Sequence, residues 1–213
     1  MITATDLEVR AGARTLLSAP GDALRIQPGD RIGLVGRNGA GKTTLLKLLA
    51  GVERTDGEGG VVSGHGLKIG YFAQEHDTID GEKSVWENTI EACPDAGQQD
   101  LRGLLGAFMF SGDKLEQPAG TLSGGEKTRL ALATLVSSRA NVLLLDEPTN
   151  HLDADSIAWL RNFLSKHEGG LIMISHDVEL LDAVCNKVWF LDAVRAEADV
   201  YNMGFSKYKD ARA

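Results

Sequence analysis

The chain is poor in sulfur and in aromatic rings, and it has no long apolar run. Its two cysteines, Cys93 and Cys185, show no spacing that suggests a disulfide framework or a metal site, so both are expected to be reduced. Aromatic residues make up only 6% of the 213 residues. No apolar stretch reaches the ~18 residues that a membrane-spanning helix needs. The opening residues MITATDLEVRAG lack the charged-then-apolar plan of a signal peptide, and a cytoplasmic location is the expectation. Positive charge is also scarce. There are 22 Lys and Arg against 30 Asp and Glu, for a net charge of −8. Proteins that grip nucleic acid over a broad surface usually carry the opposite balance, so direct, sequence-specific nucleic-acid binding is not expected.

Glycine is plentiful at 25 residues, and much of it sits in motifs. Ile32 to Val35 is an apolar run long enough for a buried strand. It leads into Gly36-Arg37-Asn38-Gly39-Ala40-Gly41-Lys42-Thr43, which fills every fixed position of G-x-x-x-x-G-K-[ST]. Leu45, Leu46, Leu48 and Leu49 follow at spacings that give a helix an apolar face. Strand, glycine loop and helix are together a phosphate cradle: glycines let backbone N–H groups turn toward an anion, and the helix N-terminus adds partial positive charge. Lys42 would reach the β- and γ-phosphates, and the Thr43 hydroxyl would ligate Mg²⁺.

Residues 143–153, LLLDEPTNHLD, end an apolar run abruptly at Asp146 and Glu147. Such a run fits a strand buried on both faces, and acids at its carboxyl end lie where open α/β sheets bind ligands. In a phosphate-binding protein Asp146 takes the Mg²⁺ role, and Glu147 is placed to act as general base toward water.

Three further features follow in order. Gln74 ends the strand-like LKIGYFAQ, Leu122-Ser123-Gly124-Gly125-Glu126 precedes a helical run, and His176 follows the apolar run Leu171 to Ile174. Each has a plain structural reading as well. Ser123 and Glu126 form a capping box that starts a helix whatever else they do. In this order, however, the set resembles the ATP-binding cassette ATPases over nearly the whole chain. Glu147-Pro148-Thr149-Asn150-His151-Leu152-Asp153, together with the closing MGFSKYKDAR, is similar to the ABC-F group, the cassettes without transmembrane domains.

The resemblance implies roles. Gly36, Asn38, Gly39, Ala40, Gly41, Lys42, Thr43 and Thr44 would bind the nucleotide, and Ser123, Gly124, Gly125 and Glu126 would meet ATP held on a facing cassette. Gln74 would join Thr43 and Asp146 around Mg²⁺, Asp153 would lie in a loop crossing the cassette interface, and His176 would contact the γ-phosphate and align Glu147. ATP and Mg²⁺ are the implied cofactors, a second cassette the implied partner, and the ribosome, in translation or antibiotic resistance, a further one. The alternative is the ATP-hydrolysing subunit of a membrane transporter, whose site residues would be the same.

The fold implied is α/β: a P-loop cassette with a mostly parallel core sheet, an antiparallel β portion and an inserted helical subdomain. The core is expected over 1–75 and 138–203, the helical subdomain over about 76–137, and the start of a linker over 204–213. Strands are expected at Leu7 to Arg10, Ala23 to Ile26, Leu67 to Ala73, Lys187 to Leu191 and Asp199 to Tyr201, with a turn at Gly57 to Gly60. Helices are expected from the capping box Ser84-x-x-Glu87 to Ala92, and over Asp100 to Phe108, Asp155 to Lys166 and Asp177 to Val184. The match departs from the family pattern at three points. Ala11 stands where cassettes usually place an aromatic ring for the adenine. One cassette is present where the group resembles two. The stretch between Gln74 and the signature lacks the insertion common in N-terminal cassettes.

Overall fold

The computed structural model describes residues 1–21, 24–54, 60–73 and 79–212, apart from the side chains of Ala11 and Ser63. Its centre is a six-stranded sheet. In chain order the strands are β5 (Arg31–Gly36), β7 (Ile69–Phe72), β8 (Val142–Asp146), β9 (Gly170–Ile174), β10 (Lys187–Asp192) and β11 (Glu197–Tyr201). In space they run β11-β10-β5-β9-β8-β7. All neighbours pair in parallel except β10 with β11, an antiparallel edge hairpin. The mostly parallel core read from the sequence is therefore present.

Alternate side chains of β8 and β9 explain why the runs Val142 to Leu145 and Leu171 to Ile174 are apolar at every position. Leu143, Leu145, Leu171 and Met173 enter one core, while Val142, Leu144, Ile172 and Ile174 enter another. Side chains on successive strand residues point to opposite faces, so a strand covered on both faces must be apolar at every position.

The first core is closed by α4 (Gly124–Ser137), α5 (Ala154–Lys166) and α6 (Val178–Val184). The helices α2 (Val85–Ala92) and α3 (Gln98–Ala107), with two short 3₁₀ turns after them, share this core through Val85, Leu105, Phe108 and Phe110. The second core is closed by α1 (Lys42–Ala50) and by the N-terminal strands. There β1 (Ile2–Thr5) sits between β4 (Leu24–Ile26) and β6 (Gly60–Ser63), antiparallel to both, and β2 (Leu7–Ala11) pairs with β3 (Arg14–Ala19).

Most expected elements appear with ends shifted by a residue or two. Gly60, expected in a turn, instead opens β6 and pairs with Thr5. Ala23 and Gly57 to Gly59 lie outside the described residues. Within the stretch 204–213, read as the start of a linker, Phe205–Arg212 form the helix α7, and Ala213 lies outside the described residues. Phe205 and Tyr208 are buried there, and Tyr208 meets Tyr201 edge-on at 5.1 Å.

Candidate active site

A cleft of about 590 Å³ opens at the carboxyl ends of the parallel strands. Its floor is the loop from Gly36 to Gly41, which links β5 to α1. Two of its glycines are required by space as well as conformation. Gly36 has φ +155°, and a Cβ there would stand 2.7 Å from the Leu191 carbonyl oxygen. Gly41 has φ +90°, and a Cβ would press on Leu16 at 3.2 Å. Gly41 also caps α1 without any side-chain bond, leaving the helix N-terminus to the cleft. The Lys42 ammonium donates to the carbonyls of Gly36 at 2.8 Å and Arg37 at 3.1 Å. Burial pulls its pKa below the ordinary lysine value, against the opposing pull of Glu147 and Asp146.

Asn38, Gly39, Gly41, Lys42, Thr43 and Thr44 all line the cleft. Gly36 and Ala40 do not: Gly36 contributes its carbonyl, and Ala40 is buried in the second core.

The two acids occupy the opposite wall. Asp146 is 1% exposed, and one of its carboxylate oxygens, Oδ2, is buried without a hydrogen-bond partner. Burial raises its pKa above the ordinary aspartate value, although the Thr43 hydroxyl and the charges of Lys42 and Lys47 act the other way. Glu147 adopts the left-handed conformation at φ +51°, which is strained for a side chain of this kind. Its N–H donates to the Ile174 carbonyl at 2.9 Å, tying the end of β8 to the end of β9.

The Glu147 carboxylate accepts the His176 backbone N–H at 3.2 Å and stands 3.2 Å from His176 Nε2. Glu147 is almost wholly buried, whereas the His176 side chain is 80% exposed and rims the cleft. Burial pushes the Glu147 carboxyl above the usual carboxylate range, and His176 is the main opposing influence.

A buried, unpartnered carboxylate oxygen beside a threonine hydroxyl suits a hard divalent cation that keeps most of its ligands from phosphates and water. Among the described residues no group of three His, Cys, Asp or Glu could hold a metal alone. Thr43 and Asp146 therefore fit Mg²⁺ brought in with a nucleotide. Gln74, expected to complete that set, lies outside the described residues.

The signature lies elsewhere. Ser123, Gly124, Gly125, Glu126 and Asp153 do not line the cleft. Ser123 caps α4 in a complete capping box with Glu126. The Lys114 ammonium at 2.7 Å and the Ser123 N–H hold the Glu126 pKa down to about 2. Gly125 packs so closely that a Cβ would stand 2.9 Å from the His151 carbonyl oxygen. Thr128, buried in α4, donates its hydroxyl to the carbonyls of Gly124 at 3.0 Å and Asn150 at 3.3 Å. Asp153 caps α5 by accepting the Ser156 N–H at 2.8 Å.

Four cleft residues were not among the expected site residues: Arg14, Leu16, Asn150 and Ile174, the last ending the apolar strand β9. Asn150 is held by its N–H bond to the Glu147 carbonyl at 3.2 Å, and a carboxamide so near two acids was the available signal. Arg14 and Leu16 come from β3, and nothing in their local sequence marks them. Ala11, which stands where an aromatic was expected, belongs to β2, and its side chain is outside the described set.

Residues 21–150 match the family described as ABC transporter. A probable ATP-binding protein YheS of Haemophilus influenzae is 49% identical over 159 residues, covering 74% of this chain and 25% of that protein. The YheS protein of Escherichia coli K12 is 44% identical over 176 residues, 82% of this chain and 27% of that one. The ABC transporter F family member 5 of Arabidopsis thaliana is 38% identical over 193 residues, 89% of this chain and 28% of that one.

The chain thus spans about a quarter of the length of the curated relatives it matches. In fold it is similar to the cassette MJ0796, solved as a dimer in a post-hydrolysis state with ADP and Pi. The TM-score is 0.75 at 18% identity, over 95% of this chain and 98% of that one. Among the described residues no helix is long and apolar enough to cross a membrane. With the phosphate loop, the paired acids and the signature helix all in place, and with relatives of the F group, the chain belongs to the ABC transporter family as an ATP-binding cassette of the ABC-F kind.

Proposed function

We propose that the cassette binds Mg-ATP and hydrolyses it to ADP and phosphate, and that it does so paired with a second cassette. The observation that carries this reading is the division of the motifs. Lys42, Asp146, Glu147 and His176 meet around one cleft, while Ser123 to Glu126 stand outside it. A signature helix with an exposed, capped N-terminus is suited to meet phosphate held on another cassette. The dimeric state in which the similar cassette MJ0796 was solved supports such pairing.

In this reading the loop from Gly36 to Gly41 wraps the phosphates, and Lys42 balances their charge. Thr43, Asp146 and by resemblance Gln74 would hold Mg²⁺, which would supply further positive charge against the phosphate oxygens. Glu147 accepts the proton of the attacking water, a task suited to a carboxylate whose pKa is raised by burial. His176 holds the Glu147 carboxylate from the backbone and from the ring. Asp153 shapes the loop that faces the second cassette. Cycles of pairing and release, driven by ATP binding and hydrolysis, would act on a ribosomal partner, as the ABC-F resemblance implies.

Glu147→Gln tests the reading. Hydrolysis should fall by at least about a hundredfold, the loss typical of removing a general base. ATP binding should persist, and light scattering should show the mass doubling with Mg-ATP. A variant that hydrolyses ATP at the original rate would sink the assignment of the base. A protein that binds ATP and stays monomeric would sink pairing between copies of this chain.

A further inference from the structure

A second cleft, of about 500 Å³, shares Arg14, Asn38 and Gly39 with the nucleotide cleft and continues to the end of β10. Four arginines line it, Arg14, Arg37, Arg195 and Arg212, against a single acid, Asp192. That acid is already committed. Arg195 Nε bonds Asp192 at 2.9 Å, and the same guanidinium reaches Glu197 and Asp199. Arg195 is therefore neutralised, and Arg195 in turn holds the Asp192 pKa down to about 2.

The other three arginines are exposed, and none is paired with a carboxylate among the described residues. They come from three separate parts of the chain, β3, the phosphate loop and α7. The Arg212 guanidinium lies 3.7 Å from the centre of the Phe190 ring. Stacking of this kind fixes the plane of the fork, and the guanidinium, which hydrogen-bonds the Tyr208 side chain, keeps further N–H donors for an oxyanion. Three unneutralised guanidiniums converging on one cleft is a marked local reversal in a molecule with a net charge of −8.

We propose that this cleft is a binding site for the phosphodiester backbone of single-stranded RNA. A planar guanidinium presents two parallel N–H bonds that match two phosphate oxygens, and all three unpaired cations here are arginines and none is lysine. Successive phosphates on one strand are already joined in sequence. A set of acidic side chains on a peptide would each lose rotamer freedom on docking. Contacts to backbone phosphates carry no base information, so the site is sequence-independent and compatible with an acidic protein. The proposal needs neither ATP hydrolysis nor cassette pairing, although its cleft borders the nucleotide cleft at Arg14, Asn38 and Gly39.

The test is fluorescence anisotropy with a short labelled single-stranded RNA of mixed sequence, titrated at several salt concentrations. Three neutralised phosphates give a slope of about −2 in log affinity against log salt, so binding weakens roughly twenty-fold between about 50 and 200 mM salt. Arg212→Gln should reduce the slope to about −1.4, Arg212→Lys should keep it near −2, and glutamine at Arg14, Arg37 and Arg212 together should abolish binding. Arg212→Gln should also leave the rate of ATP hydrolysis unchanged, which separates loss of the site from loss of the fold. Wild-type protein that does not bind the RNA overturns the proposal. So does a triple variant that binds with the original slope, because the RNA then sits elsewhere. Displacement of bound RNA by poly-glutamate at equal charge concentration would assign the cleft to an acidic protein partner instead.

Discussion

Asp146 is buried at a cost in stability. Its carboxylate is buried, with Oδ2 unpartnered, and burial raises its pKa above the ordinary value. The folded chain then binds this proton more tightly than the unfolded chain, so stability from this group falls as pH rises from the ordinary aspartate value through the raised one. Asp146→Asn should therefore raise the melting temperature by a few degrees near neutral pH, and the gain should vanish near pH ~4, where unfolded aspartate itself takes up the proton. Thermal scans across pH check this, and hydrolysis should be lost in the same variant. A melting temperature that falls at neutral pH would mean that the carboxylate is stabilising. The sequence showed that two acids end a buried strand. It could not show that Glu147 would take a left-handed conformation, because that follows from the N–H bond to Ile174, a partner on another strand.

Helix starts in this chain are chemically alike but differ in what they face. Ser84 and Ser123 both sit in complete capping boxes, with Glu87 and Glu126 three residues on. Ser84→Ala and Ser123→Ala should each lower stability by about 1 kcal/mol in denaturant unfolding. Only Ser123→Ala should also slow phosphate release, and equal hydrolysis by the two variants would reduce the signature serine to a cap. Both boxes were legible because they depend on residues three apart. The strand β3 was not. Leu16 and Leu17 are adjacent and both buried, and the register shifts between Val9 and Arg10 of its partner, so the expected alternation is absent. The strand β6 was hidden by glycines and is defined by pairing with β1 far away in sequence.

At the scale of the whole molecule, the cleft and the signature are two halves that one chain keeps apart. Gly125 is packed against His151, and Thr128 is bonded to Asn150, so the signature helix is fastened to the loop that follows Glu147. If two copies close around ATP, each site draws its cleft from one copy and its signature from the other. A symmetric dimer of this kind allows complementation. Mixing equal amounts of Glu147→Gln and Ser123→Arg protein should restore roughly a quarter of the original hydrolysis: half of the pairs are mixed, and each mixed pair keeps one intact site. Phosphate release by each variant alone and by the mixture checks this. A mixture no more active than its parts would mean that both motifs must act within one chain.

The sequence alone determined the phosphate loop, the acids at the end of β8 and the capping boxes. Each of these is set by local chemistry: glycines that free the backbone, carboxylates that end an apolar run, hydroxyls three residues before glutamates. Tertiary structure alone decided what stands beside what. It brought Arg14 and Leu16 to the nucleotide cleft, gathered arginines from three segments beside the phosphate loop, and kept Ser123 out of the cleft. Those placements depend on the strand order β11-β10-β5-β9-β8-β7. That order is fixed by which apolar faces pack together across the chain, and no short window of sequence contains both faces of a contact.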